Sequence, residues 1–164
     1  MLKEIKGKVW KLGDNIDTDV IYPGRCLPIL DPKEMAKHAL EGYEKDFPGK
    51  IQKGDIILAG SNFGCGSSRE QAATSLKYAG ISCVIAKSFS RIFFRNAINQ
   101  GLALVQSKEA YDSIDQGEEI TIDYAKGEII TQSKKIPFPP LLDIVMGILE
   151  DGGLIEHLKK SLKQ

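Results

Sequence analysis

The residues best suited by type and spacing to do chemistry lie together in Gly60-Ser61-Asn62-Phe63-Gly64-Cys65-Gly66-Ser67-Ser68-Arg69-Glu70. Arg69 offers a planar fork that matches a carboxylate. Gly64 and Gly66 allow positive φ and let the backbone come close to a ligand. The spacing predicts a helix from Ser68 to Ala79, and a helix start presents unpaired N–H groups at the positive end of the dipole, a ready anion site. Ser67 with Glu70 three residues later reads as a capping box. Two readings stand side by side. In one the serines only cap and Arg69 pairs with a surface acid. In the other a serine hydroxyl is left free to face a substrate whose carboxylate Arg69 takes. Other catalytic patterns fare worse, because GxxxxGK[ST] and GxSxG are both absent. His38 and His157 are the sole histidines, and both read as surface residues in polar or amphipathic helices.

A second polar cluster is Gly13-Asp14-Asn15-Ile16-Asp17-Thr18-Asp19. A calcium loop needs a longer ligand series closed by a bidentate glutamate, which this segment lacks. Asp and Asn side chains also bond to nearby backbone amides, so a structured loop is the better expectation. Cys26, Cys65 and Cys83 include no CxxC pair, which argues against zinc. Three thiolates could hold an open-cornered [4Fe–4S] cluster, but no ligand motif joins them. Cys83 sits in the apolar run Ile81-Ser82-Cys83-Val84-Ile85-Ala86, where it packs as a small hydrophobe. No metal is therefore expected on this chain.

The elements that must position these residues follow from the rest of the sequence. The chain has 164 residues, 42% hydrophobic and 27% charged, with 22 basic and 22 acidic side chains. This fits one globular domain, residues 1–164, with no charge bias toward nucleic acid or an anionic membrane. No apolar run approaches a bilayer span and the first residues lack a signal-peptide core, so a cytoplasmic protein is expected. Strands are predicted at Lys3 to Leu12, Ile56 to Ala59, Ser82 to Ala86 and Leu102 to Val105. Helices are predicted from Asp31 (as cap, with Pro32 at the first position) to Gly42, and over Ser90 to Asn99 and Lys108 to Ile114. Glu118 to Tyr124 and Glu128 to Thr131 read as a hairpin. Pro137, Pro139 and Pro140 then break the chain before helices at Leu141 to Leu149 and Leu154 to Leu162. Leu154, Ile155, Leu158 and Leu162 form a stripe expected to face the core. The sum is an α/β domain with a mixed sheet.

Three segments, in order, resemble signatures of the isopropylmalate dehydratase small subunits of the aconitase superfamily. They are Gly13 through Pro23, Asn62 through Glu70, and Ala86-Lys87-Ser88-Phe89-Ser90-Arg91-Ile92-Phe93-Phe94-Arg95-Asn96. The resemblance implies a single swivelling β/β/α domain like the aconitase C-terminal domain. It implies that Ser67 abstracts the substrate proton and that Ser68 and Arg69 bind a carboxylate. It further implies a large-subunit partner carrying a [4Fe–4S] cluster, with no cofactor on this chain and activity only in the complex. The reaction would then be the dehydration and rehydration that interconverts 2- and 3-isopropylmalate in leucine biosynthesis.

One stretch departs from the family pattern. Relatives often carry a tyrosine–leucine pair and then a specificity residue, an arginine where homoaconitate is the substrate. Here Arg25-Cys26-Leu27-Pro28-Ile29-Leu30 puts Pro28 at that place. An apolar Leu27, Pro28, Ile29 and Leu30 suits an alkyl group, since a second carboxylate would be left unpaired. Arg25 is a further candidate contact to substrate. Homoaconitate, and alkylmalates other than isopropylmalate such as dimethylmalate, stay open as substrates, as does self-association. The contrasting reading is a non-catalytic anion-binding module, which would need no serine base.

Overall fold

The computed structural model describes residues 4–163, so Lys3, the expected start of the first strand, lies outside the described residues. A seven-stranded sheet runs in the order β4-β3-β2-β1-β5-β6-β7. Its members are β1 (Glu4–Lys11), β2 (Ile56–Ala59), β3 (Cys83–Ala86), β4 (Ala103–Gln106), β5 (Glu119–Asp123), β6 (Glu128–Ile130) and β7 (Lys135–Pro137). β1 is the seam. It pairs parallel with β2, as β2 does with β3 and β3 with β4, and antiparallel with β5, which begins a meander through β6 to β7. The expected mixed sheet is present.

The two halves are built by different residue patterns. Ile56-Ile57-Leu58-Ala59 and Cys83-Val84-Ile85-Ala86 are buried throughout, as strands covered on both faces must be. In β5 the buried Ile120 and Ile122 flank the less buried Thr121, the alternation of a sheet covered on one face. β7 was not foreseen, because its proline reads as a breaker. At the sheet edge the missing N–H of Pro137 is tolerated.

Helices α4 (Glu70–Ala79) and α5 (Arg91–Asn99) make the crossovers between the parallel strands, and α6 (Lys108–Ser113) leads into the antiparallel half. α4 stops at Gly80, whose φ of 109° places it in the left-handed region. Ser90 and Ser107 cap α5 and α6 by accepting the amides of Phe93 and Ala110. No helix among the described residues is long and apolar enough to cross a membrane.

Three expectations need correction. α2 (Pro32–Ala36) is capped by Asp31 as expected, but it ends at Ala36 and not near Gly42. The chain beyond is captured by tertiary bonds, the Leu40 amide donating to Ile21 O and the Gly42 amide to Val20 O. Two short helices, α1 (Thr18–Ile21) and α3 (Phe47–Lys50), stand where loop was expected. Finally, the stripe on α8 (Leu154–Leu162) does not face the core. Ile155, Leu158 and Leu162 are exposed, because α8 packs mainly on α7 (Asp143–Glu150) and α5.

Candidate functional site

The three segments singled out in the sequence leave the carboxyl ends of β1, β2 and β3, the edge at which open α/β sheets bind ligands. Backbone and side-chain hydrogen bonds stitch them together. The Thr18 amide donates to Cys65 O at 2.9 Å and the Gly64 amide to Ile16 O at 2.7 Å. Thr18 Oγ1 donates to Ser67 O at 2.9 Å. Ser90 Oγ donates to Gly64 O at 2.8 Å, and Ser88 Oγ accepts from the Asn62 amide at 2.8 Å. The aspartates of the first segment build this framework, as a structured loop requires. Asp14 accepts the Ser61 amide, Asp17 caps α1 through the Val20 amide, and Asp19 accepts the Gly24 amide.

The capping box expected at Ser67 and Glu70 is not formed. α4 begins at Glu70 with Arg69 at the cap position, in extended conformation (φ −127°, ψ 101°), and no side chain caps it. The reason is the bond from Thr18 to Ser67 O, which follows Gly66 at φ 95° and holds Ser67 outside the helical turn. Ser67 and Ser68 are exposed, and among the described residues neither hydroxyl has a hydrogen-bond partner. Ser68 lines a cleft of about 430 Å³ together with Met35, Glu70, Gln71, Thr74 and Asn96.

Arg69 is held from one side. Its Nη1 donates to Asp19 Oδ1 at 2.7 Å and to Tyr22 O at 3.1 Å, and Asp19 Oδ1 also accepts the Gly24 amide at 2.8 Å. The guanidinium hydrogen bond, then the Gly24 N–H, holds the Asp19 carboxyl below the usual carboxylate range. The surface acid that the sequence left unnamed is therefore Asp19. Thr18, Asp19 and Tyr22 were not assigned roles at the site from sequence. The usable signal was their place in the first segment, since a side chain conserving a loop shape can as well anchor its neighbour.

Arg25 lies on a 3₁₀ turn, Gly24–Cys26, and forms an ion pair with Glu41. Leu27, Pro28 and Leu30 are exposed and Ile29 half-buried, with Leu30 87% exposed. The structure thus places the apolar loop directly after the turn that contacts the Asp19–Arg69 pair. Both histidines are engaged by acids, His38 by Glu41 and His157 by Asp151.

The cysteines do not fit an iron–sulfur cluster. Cys83 is wholly buried in β3, where burial pushes its thiol up to about 12, and Cys26 is buried as the last residue of the 3₁₀ turn. Among the described residues no three His, Cys, Asp or Glu side chains gather to hold a metal.

Residues 2–110 match the aconitase C-terminal domain family. The chain is 53% identical to the 3-isopropylmalate dehydratase small subunit of Caldicellulosiruptor bescii, over 97% of each chain. It belongs to that small-subunit family. A solved structure titled 3-isopropylmalate dehydratase, from Methanocaldococcus jannaschii, superimposes with a TM-score of 0.92 at 47% identity, covering 97% of this chain and 95% of the other. The family also includes a relative with another name, the methanogen homoaconitase small subunit of Methanothermobacter thermautotrophicus. It is 48% identical over 96% of this chain and 92% of its own. The aconitase-domain match takes in all three site segments and the apolar loop, and ends within α6, before the antiparallel meander.

Proposed function

We propose that this chain is the small subunit of a heteromeric hydro-lyase that interconverts 2-isopropylmalate and 3-isopropylmalate by dehydration and rehydration in leucine biosynthesis. The whole chain acts as one swivelling domain that closes over a large subunit. Its three unpaired cysteines suit the reducing cytoplasm. The observation that carries the reading is the exposed Ser67–Ser68 pair, with unengaged hydroxyls, beside an arginine anchored on one edge only.

Ser67 is the base. A serine hydroxyl takes a carbon-bound proton only as its alkoxide, so the site must stabilise that charge. The start of α4 and the Arg69 guanidinium supply a positive field for it. Ser67 Oγ then accepts the substrate proton in dehydration and returns it in rehydration. Ser68 and the free edge of Arg69 hold a substrate carboxylate in place. A [4Fe–4S] centre on the large subunit would supply Lewis acidity toward the substrate hydroxyl, and among the described residues of this chain no set of ligands gathers to hold it. Arg25 is a second candidate substrate contact.

The exposed apolar Leu27-Pro28-Ile29-Leu30 loop favours an alkylmalate over homoaconitate, and dimethylmalate-type substrates suit it equally. A non-catalytic anion binder would have no use for two unengaged serines. The test is co-expression with the large subunit under anaerobic conditions, followed by assays on 2-isopropylmalate, dimethylmalate and homoaconitate. The expected result is turnover of alkylmalate by the complex, with neither iron nor activity in the isolated chain. An inactive, correctly assembled complex would reject the reading.

A further inference from the structure

Two arginines near the site, Arg69 and Arg25, each face an acid. The two pairs differ in which member is fixed. Arg69 is anchored while Asp19 is largely exposed. In the other pair the acid is anchored: the Glu41 side chain is 15% exposed and that of Arg25 is 63% exposed. Both Glu41 carboxylate oxygens are engaged, Oε1 by Arg25 and Oε2 by His38 Nδ1 at 2.5 Å.

The backbone holds Glu41 in register with the site. On either side of it the Leu40 amide donates to Ile21 O at 2.7 Å and the Gly42 amide to Val20 O at 3.0 Å. Leu40 adopts a φ of 59°, and a Cβ at Gly42 would lie 2.6 Å from Val20 Cα. A contact that close leaves no room for a larger residue, so the turn is locked to α1. The Arg25 turn is tied to the same frame, through Tyr22 Oη donating to Cys26 O at 2.7 Å and the Gly24 amide on Asp19.

We propose that Glu41 is a positioning residue that sets the substrate class by neutralising Arg25. This rests on the hydro-lyase reading above. Arg25 is the one cation in the loop Arg25-Cys26-Leu27-Pro28-Ile29-Leu30, and a distal carboxylate on a substrate would need it. To take it, the substrate must draw Arg25 away and leave the mostly buried Glu41 carboxylate with His38 alone. Leaving a charge without its partner in a partly buried place is strongly unfavourable. With Glu41 in place the loop offers no net charge and an apolar surface, which fits the alkyl group of a substituted malate. The acid therefore acts by refusing the wrong substrate more than by gripping the right one.

The test compares equilibrium affinities for homoaconitate and for 2-isopropylmalate by calorimetry on assembled complexes that also carry Ser67→Ala, so that turnover does not consume the ligand. In Glu41→Gln the preference for 2-isopropylmalate should fall by about tenfold or more, the scale set by one newly available charge-assisted contact. The shift should vanish in the Arg25→Ala/Glu41→Gln double variant. A preference unmoved in Glu41→Gln overturns the proposal, and so does a shift that persists without Arg25. General loosening of the fold would weaken both ligands together and leave their ratio unchanged, which also counts against it. Loss of the hydro-lyase reading shows separately, as absence of turnover by the wild-type complex.

Discussion

Ser67 is exposed and uncapping, which separates two effects that a capping serine would merge. Ser67→Ala in the assembled enzyme should lower turnover by about 10²–10⁴-fold, the range for loss of a general base. Because no cap bond is lost, thermal stability of the isolated chain should change by less than about 0.5 kcal/mol, the scale of a neutral surface substitution. Retained turnover, or a loss on the scale of a broken cap, about 0.5–2 kcal/mol, would remove Ser67 from the mechanism. The Asp19–Arg69 pair makes a prediction in pH. The folded pKa of Asp19 is lowered from 3.8, so its contribution is fully present above that value and is lost as pH falls through the lower, folded one. A carboxyl-carbon titration by NMR should place the Asp19 midpoint below 3.8, and Asp19 should return toward 3.8 in Arg69→Gln. A wild-type midpoint at or above the ordinary value would mean that Arg69 is not held this way. The pairing itself could not be read from sequence, since the partners lie fifty positions apart; the chemistry of Arg69 as a carboxylate fork could.

At the level of elements, what was legible is what is decided locally. The apolar runs of β2 and β3, the proline and aspartate that open α2, and the glycine that ends α4 act within a few residues of themselves. What was not legible is decided by neighbours in space. The Ser67–Glu70 box satisfies every local rule and yet fails, because Thr18 competes for the backbone of Ser67. The α8 stripe has the period of a buried face, but α8 packs mainly on α7 and α5, outside the layer that lies against the sheet. Gly64 carries a tertiary demand of the same kind, with a φ of 81° and a hypothetical Cβ 2.3 Å from Phe93 Cβ. Gly64→Ala combines backbone strain of about 1–3 kcal/mol with overpacking of similar size against the aromatic cluster of Phe63, Phe89 and Phe93. Denaturant melts should show a loss of several kcal/mol. A change below about 0.5 kcal/mol would mean that the loop is not braced on α5.

For the molecule as a whole, the apolar loop and the site it borders predict substrate choice. Pro28→Arg adds a second cation to the exposed loop, so kcat/KM should rise for homoaconitate and fall for 2-isopropylmalate. The loss for isopropylmalate should stay near the 1–3 kcal/mol that an apolar contact is worth, about 10–200-fold. A wild-type preference for homoaconitate would sink this reading of the loop and leave the hydro-lyase assignment intact. The central place of β1 has a consequence of another kind, in the order of events during synthesis. β1 is made before the other strands of the sheet and is the one that both halves require, with Val9 registered against Ile56 and Ile5 against Ile122. Its antiparallel partner leaves the ribosome only after most of the chain, so one edge of β1 must stay unpaired while the parallel, site-bearing half assembles. Contacts so distant along the chain slow folding and leave an open strand edge in the meantime. The nascent chain should therefore be most prone to aggregate when released between the end of β4 and the start of β5, and protected once the meander has emerged.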